Sequence, residues 1–179
     1  MPEFFNSSLG LKLAIPQVAQ EIVRFMKDDS RRKYKIMIGT DSARLTDGRA
    51  DFVTAVVVHR VGNGGRYFWR RTELGKLHTL RDRIIKEVVI SLELGKEVLT
   101  ELKKFSDPAA GENPELARPE PVEWVEIPEW EFEIHADVGE NGPTKAMIQE
   151  VVGMIRAYNF EPITKPGSYA ASNVADRHV

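Results

Sequence analysis

A single mixed α/β domain is predicted for this chain of 179 residues. Three observations predict it. Stretches with the two-residue period of strands and stretches with the helical period follow one another along the chain. A glycine-rich turn, Gly62–Gly65, links two β-prone runs. The composition, 42% hydrophobic and 29% charged, suits one core that needs no covalent staple.

The elements follow in order. Pro16 opens an N-terminal helix whose apolar face is Val18, Ile22, Phe25 and Met26, ending near Asp28–Ser30. Tyr34–Asp41 reads as a strand, with Asp41 at its C-terminal end on the same side as Met37 and Gly39. Asp51–Arg60 and Arg66–Arg70 complete a three-strand antiparallel meander across the glycine turn. Leu80, Ile84, Ser91, Leu94 and Val98 mark a long helix from about Thr79 to Lys104. Trp130–Val138 alternates cleanly as a fourth strand: Trp130, Phe132, Ile134, Ala136 and Val138 face the core. A helix carrying Met147, Val151, Met154, Ile155 and Tyr158, a short fifth strand at Phe160–Thr164, and a last helix capped by Ser168 close the domain. The expectation is therefore a five-stranded mixed sheet flanked by helices, with an extra helix at the N-terminus.

Composition narrows the chemistry. The chain has no cysteine, which removes disulfides and thiolate metal sites and leaves oxygen or imidazole ligands for a hard cation such as Mg2+ or Mn2+. The four histidines show no zinc-type spacing. The N-terminal residues lack a basic start followed by a long apolar run, and no apolar stretch reaches the roughly twenty residues of a membrane span. A soluble cytoplasmic protein is expected, with oligomeric state unspecified.

Net charge is −2, from 25 basic and 27 acidic residues, so any nucleic-acid partner must be met by a local patch. Between Arg60 and Lys86 lie Arg66, Arg70, Arg71, Lys76, His78, Arg81 and Arg83, interleaved with Tyr67, Phe68 and Trp69. Such a segment meets phosphates and stacks bases, or else forms an ordinary solvated face. Residues 107–129 reverse the sign: prolines 108, 114, 119, 121 and 128 stand among glutamates with Arg118 the one basic residue. This reads as an acidic, Pro-rich loop or insertion within the domain.

Two carboxylates call for an explanation. Glu87 falls on the apolar stripe of the long helix, where pairing with Arg83 or Lys86 is the plain alternative to a functional role. Asp137 shares a strand face with Glu131, Glu133 and His135, four ionisable groups together. Gly139–Lys145 (GENGPTK) resembles a phosphate loop but lacks Walker spacing.

Four blocks carry a family resemblance: Ile38–Ser42 (IGTDS), Leu80–Glu87 (LRDRIIKE), Ile134–Gly139 (IHADVG) and Lys165–Asp176 (KPGSYAASNVAD). In this order they resemble the YkuK-like family, a bacterial group regarded as ribonuclease-H-like, and the likeness runs from about Phe5 to the end apart from the acidic insertion. The resemblance implies a ribonuclease-H-like fold in which Asp41, Glu87, Asp137 and Asp176 gather as catalytic, metal-ligating acids around Mg2+ or Mn2+. It implies a nuclease acting on RNA or DNA by two-metal phosphodiester hydrolysis. By the same resemblance Asp41 bridges the ions, Glu87 and Asp137 complete separate ones, and Asp176 holds the hydrolytic-side ion. Arg70, Arg71, Lys145 and Lys165 are the candidate substrate contacts, and His135 or His178 a proton carrier. The alternative is a non-catalytic nucleic-acid-binding or scaffold protein that keeps the fold.

Overall fold

The computed structural model describes residues 4–106 and 127–179. The acidic, Pro-rich segment expected at 107–129 thus lies outside the described residues, except for Ile127–Glu129.

Among the described residues seven strands, rather than five, form one sheet. They are β1 (Phe5–Ser7), β2 (Lys12–Leu13), β3 (Tyr34–Arg44), β4 (Arg49–Arg60), β5 (Gly65–Lys76), β6 (Trp130–His135) and β7 (Glu161–Ile163). Three helices accompany them: α1 (Ile15–Lys27), α2 (Leu80–Ser106) and α3 (Ile148–Ala157). The spatial order is β2-β1-β5-β4-β3-β6-β7, with β3, β6 and β7 parallel to one another and every other neighbouring pair antiparallel. The five expected strands are the contiguous block from β5 to β7. The surplus is the hairpin β1–β2, which precedes α1 and whose turn is held by Ser7 Oγ accepting from the backbone N–H groups of Leu9 and Leu11. The N-terminal helix is present as α1 but is not the first element.

Alternation fixes what each face of the sheet meets. Phe5, Ile36, Ile38, Val56, Val58, Phe68 and Ile134 join α1, α2 and α3 in the main core. The opposite face shows Met37, Val53, Ala55 and Val57, covered by Ala170, Val174 and Ala175 of the C-terminal segment. That segment is not the expected regular helix: it is a wide turn with π-helical hydrogen bonding over Ala170–Ala175, followed by a 3₁₀ turn at Asp176–His178. Ser168 does not cap it through its hydroxyl. Its carbonyl instead accepts from both the N–H and the hydroxyl of Ser172.

The stripe of α2 explains itself once the strand beneath is known. Four helical residues rise about 6 Å and two strand residues about 6.6 Å. Glu87, Ser91 and Gly95 therefore step along the sheet in near-register. Glu87 meets Ser42, Ser91 bonds Thr40 at 2.8 Å, and Thr40 also donates to Thr54 at 3.1 Å. A side chain at Gly95 would press on Ile134 and Phe160, so its absence lets the helix lie close to β6. Small and polar residues on this line thus serve approach and hydrogen bonding.

Period two also decides Arg70. Arg66, Phe68 and Arg70 point to the helical side, and Arg70 is only 6% exposed, its guanidinium 4.8 Å above the Phe5 ring. Burial pulls its pKa down, with Glu97 and Glu93 opposing that effect. So enclosed a residue has little surface to offer a nucleic acid. Arg70→Ala is expected to cost about 1–3 kcal/mol of stability through lost packing, with Arg70→Met retaining most of it. A denaturant midpoint unmoved in the alanine variant would show that this packing carries no weight.

Among the described residues no helix is long and apolar enough to cross a membrane.

Candidate functional site

The parallel pair β3 and β6 builds the site. Their register aligns Gly39 with His135, and β6 ends there. Continuing both chains by two residues brings Asp41 beside Asp137. Asp41 does not stand at a strand terminus: β3 is central and its pairing to β4 runs on to Arg44. Only the β6 side opens, because Asp137 lies two residues past its strand. The sheet thus opens where one neighbour stops and the other continues.

The C-terminal segment supplies the third acid. Gly39 has no Cβ; one built there would stand 2.4 Å from the backbone nitrogen of Ala171. The segment therefore rests directly on β3. The N–H of Ala170 donates to Nδ1 of His135 at 3.1 Å, and Nε2 of the same ring lies 3.0 Å from Oε2 of Glu133. With Nδ1 accepting, Nε2 carries the hydrogen, and burial holds His135 below its ordinary pKa. Further along, His178 stacks on Trp69 with ring centroids 4.2 Å apart, and Arg71 donates to the His178 carbonyl while pairing with Asp51 at 3.3 Å. These contacts bracket Asp176 and bring its carboxyl into hydrogen-bonding reach of Asp41.

Glu87 enters from α2. It is 4% exposed and accepts a 2.6 Å hydrogen bond from the Ser42 hydroxyl. Arg83, the partner expected from helical spacing, reaches it by way of Ser42, donating to that residue's carbonyl at 2.9 Å and hydroxyl at 3.3 Å.

Crowding of acids has its usual electrostatic consequence. Burial, together with the neighbouring Asp137 and Asp176, pushes Asp41 up to about 6 against the pull of the Ser42 backbone N–H. Burial, with Asp41 and Asp137 adding to it, pushes Glu87 up to about 8 despite Ser42 and Arg83. Asp137 holds Lys165 at 2.9 Å through one oxygen, while its other oxygen, Oδ1, is buried without a hydrogen-bond partner. Asp41 thus neighbours Asp137 and Asp176 on the face under the C-terminal segment, and Glu87 approaches Asp41 and Asp137 from the helical face. Among the described residues, however, no three His, Asp or Glu side chains converge tightly enough to grip a single ion as they stand.

The donor set nevertheless fits a hard divalent cation: it is all oxygen, one buried oxygen has no partner, and burial with neighbouring acids raises two of the carboxyls.

The raised values carry a sign. A carboxyl that binds its proton more tightly when folded supports the fold below the ordinary carboxylate range, and this support is lost as pH rises through the raised value. His135 and His178, both held down by burial, act oppositely near the histidine range. The clean signature is therefore a difference. Metal-free Glu87→Gln should gain stability relative to the unmutated protein as pH rises from 4.5 to about 8. Parallel stability curves for the two proteins over that interval would refute the buried-acid assignment.

The remaining candidates are scattered. Lys145 is exposed at the start of a 3₁₀ turn, Lys145–Met147, and Arg71 is engaged with Asp51 and the His178 carbonyl. His135 is committed through both ring nitrogens and serves as a seat for the C-terminal segment. The sequence reading missed Ser42, Gly39 and Asp51. Ser42 was signalled by its place beside Asp41 on the opposite strand face, the other two by nothing local.

A model of the family described as Ribonuclease H-like matches residues 17–179. The chain belongs to the ribonuclease-H-like family. It is 31% identical over 179 residues to a protein of Bacillus subtilis (strain 168), "Uncharacterized protein YkuK", spanning 97% of this chain and 95% of that relative. The YkuK resemblance carried by the four sequence blocks is thus borne out. No solved structure matches this ribonuclease-H-like chain.

Proposed function

We propose that this ribonuclease-H-like protein is a divalent-metal-dependent nuclease that hydrolyses phosphodiester bonds of RNA or DNA. The observation that carries the reading is the approach of Asp137 and Asp176 to Asp41, and of Glu87 to Asp41 and Asp137, at the open side of β3, beside a buried Asp137 oxygen that has no hydrogen-bond partner. These four would hold Mg2+ or Mn2+, with Asp41 central because both Asp137 and Asp176 adjoin it. The chemistry such ions would supply there is activation of water and stabilisation of the leaving oxygen. The protein's own part is to orient. Ser42 and Arg83 fix Glu87 from the helical side, and His135 with Gly39 seats the segment bearing Asp176. Lys145, Lys165 and Arg71 are the basic groups from which a phosphate contact would come.

A non-catalytic nucleic-acid-binding or scaffold role is the second reading, favoured by the open spacing of the acids. Titration with Mn2+ and Mg2+, followed on labelled single-stranded, duplex and hybrid substrates in the same samples, separates the two. Metal binding with cleavage supports the nuclease; nucleic-acid binding without cleavage under any metal supports the second reading.

A further inference from the structure

Asp137 is an acid of the cluster whose charge is already answered, by a lysine. The Lys165 ammonium lies 2.9 Å from Oδ2, and the neighbouring Oδ1 is buried with no donor. A single point charge therefore serves half of a carboxylate.

The lysine's backbone and its head behave differently. Its N–H donates to the Val138 carbonyl at 2.8 Å, which ties the chain after β7 to the chain after β6. A Cβ at Gly139 would come within 2.9 Å of the Lys165 Cβ, so the glycine is what allows this seat. The side chain above the tether is 49% exposed, leaving a flexible stem in open space. Beside it opens a cleft of about 690 Å³ whose lining includes Asn141, Thr164 and Ser172, with Lys165 and Glu140 as its charged members. Asn141 and Thr164 beside the Lys165 ammonium offer polar partners for a phosphate oxygen, with Glu140 the one anion in the lining.

An ammonium and a divalent ion at contact distance from the same carboxylate repel each other strongly in a half-buried site. We propose that Lys165 is the resident counter-ion of Asp137, that a divalent cation entering the acid cluster displaces its ammonium, and that the freed ammonium turns into the adjoining cleft to meet a phosphodiester oxygen of the substrate. The inference rests on the nuclease reading and adds a coupling to it: metal arrival and the creation of a phosphate contact become one event. Lys165 acts here as a binding residue.

The test is Lys165→Met, with Lys165→Gln as a second variant should the apolar head disturb folding. Mn2+ affinity is measured by calorimetry, and affinity for a labelled single-stranded oligonucleotide is measured with Ca2+ and again with chelator. Without the competing ammonium, Mn2+ should bind roughly tenfold more tightly. Oligonucleotide affinity should fall roughly tenfold with Ca2+ present and stay unchanged in chelator. Equal or weaker Mn2+ binding in both variants, or an oligonucleotide loss of the same size with and without metal, would overturn the proposal while leaving the nuclease reading in place. Failure of Mn2+ to bind the unmutated protein as well as the variants would remove the nuclease reading and this inference together.

Discussion

Asp41→Asn is expected to abolish metal-dependent cleavage, by roughly a thousandfold or more, while leaving the fold intact. The size of the effect follows from where Asp41 sits. It adjoins both Asp137 and Asp176, so its loss withdraws the carboxylate shared between the two sides of the cluster. The fold should not suffer, because burial and those same neighbours already push the Asp41 carboxyl up to about 6. At neutral pH the metal-free protein must ionise it against this resistance, and asparagine need not. Stability in chelator should therefore be equal or higher in the variant, and the gain that Mg2+ gives the unmutated protein should disappear. Calorimetric metal titration and thermal unfolding of the same samples read both halves. A large loss of stability in chelator would mean that Asp41 is a structural residue, and the metal assignment would fall with it.

Gly39→Ala is expected to be the most disruptive single-methyl change in the protein. The new Cβ would meet three backbone atoms of Ala170 and Ala171, none farther than 2.9 Å, and backbone cannot swing aside as a side-chain tip does. The C-terminal segment must then lift from Met37, Val53, Ala55 and Val57, opening the smaller core. Overpacking of this kind costs about 3 kcal/mol. Because Asp176 travels with the segment, metal affinity should drop alongside stability, although no ligand has been changed. Hydrogen exchange distinguishes this from general loosening: amides of residues 168–178 should lose protection first, ahead of those in β3 and β4. Uniform loss of protection across the sheet would argue against a local lift.

Both variants show how the site's legibility divides. Asp41 and Asp137 could be read because strand alternation and block order are properties of short windows, and Glu87 because a charge on an apolar helical stripe is visible by spacing alone. What brings them together is not local. The parallel register of β3 and β6 joins residues 96 positions apart, Gly39 with His135, and no window contains it. The hairpin β1–β2 escaped notice since strands of three and two residues carry no period. The π-helical turn did too, because a bond reaching five residues back has no compositional signature. Arg70 is the instructive miss. Its neighbours Phe68 and Trp69 already told which side of β5 faces inward, and a basic run on a strand divides between two faces rather than forming one patch.

The sheet's outline has a consequence for edge-to-edge association. Its three long strands, β3 to β5, each run 11 or 12 residues and are rich in apolar side chains, the kind of surface that recruits other chains. They are guarded on one side by β7, three residues long with Pro162 in its middle, which offers few amide donors to a newcomer. On the other side, β1 pairs with β5 at Phe68 and Trp69, and Ser8 N–H donates to the Tyr67 carbonyl, where β5 carries its bulkiest rings. Beyond Arg70, which packs on Phe5, the remainder Arg71–Lys76 carries arginine, glutamate and lysine in place of such rings. The short hairpin therefore covers the aromatic interval Tyr67–Trp69 of an edge that carries charge beyond it. Its removal would favour edge-to-edge self-association well before it weakened the acid cluster on the far side of β4.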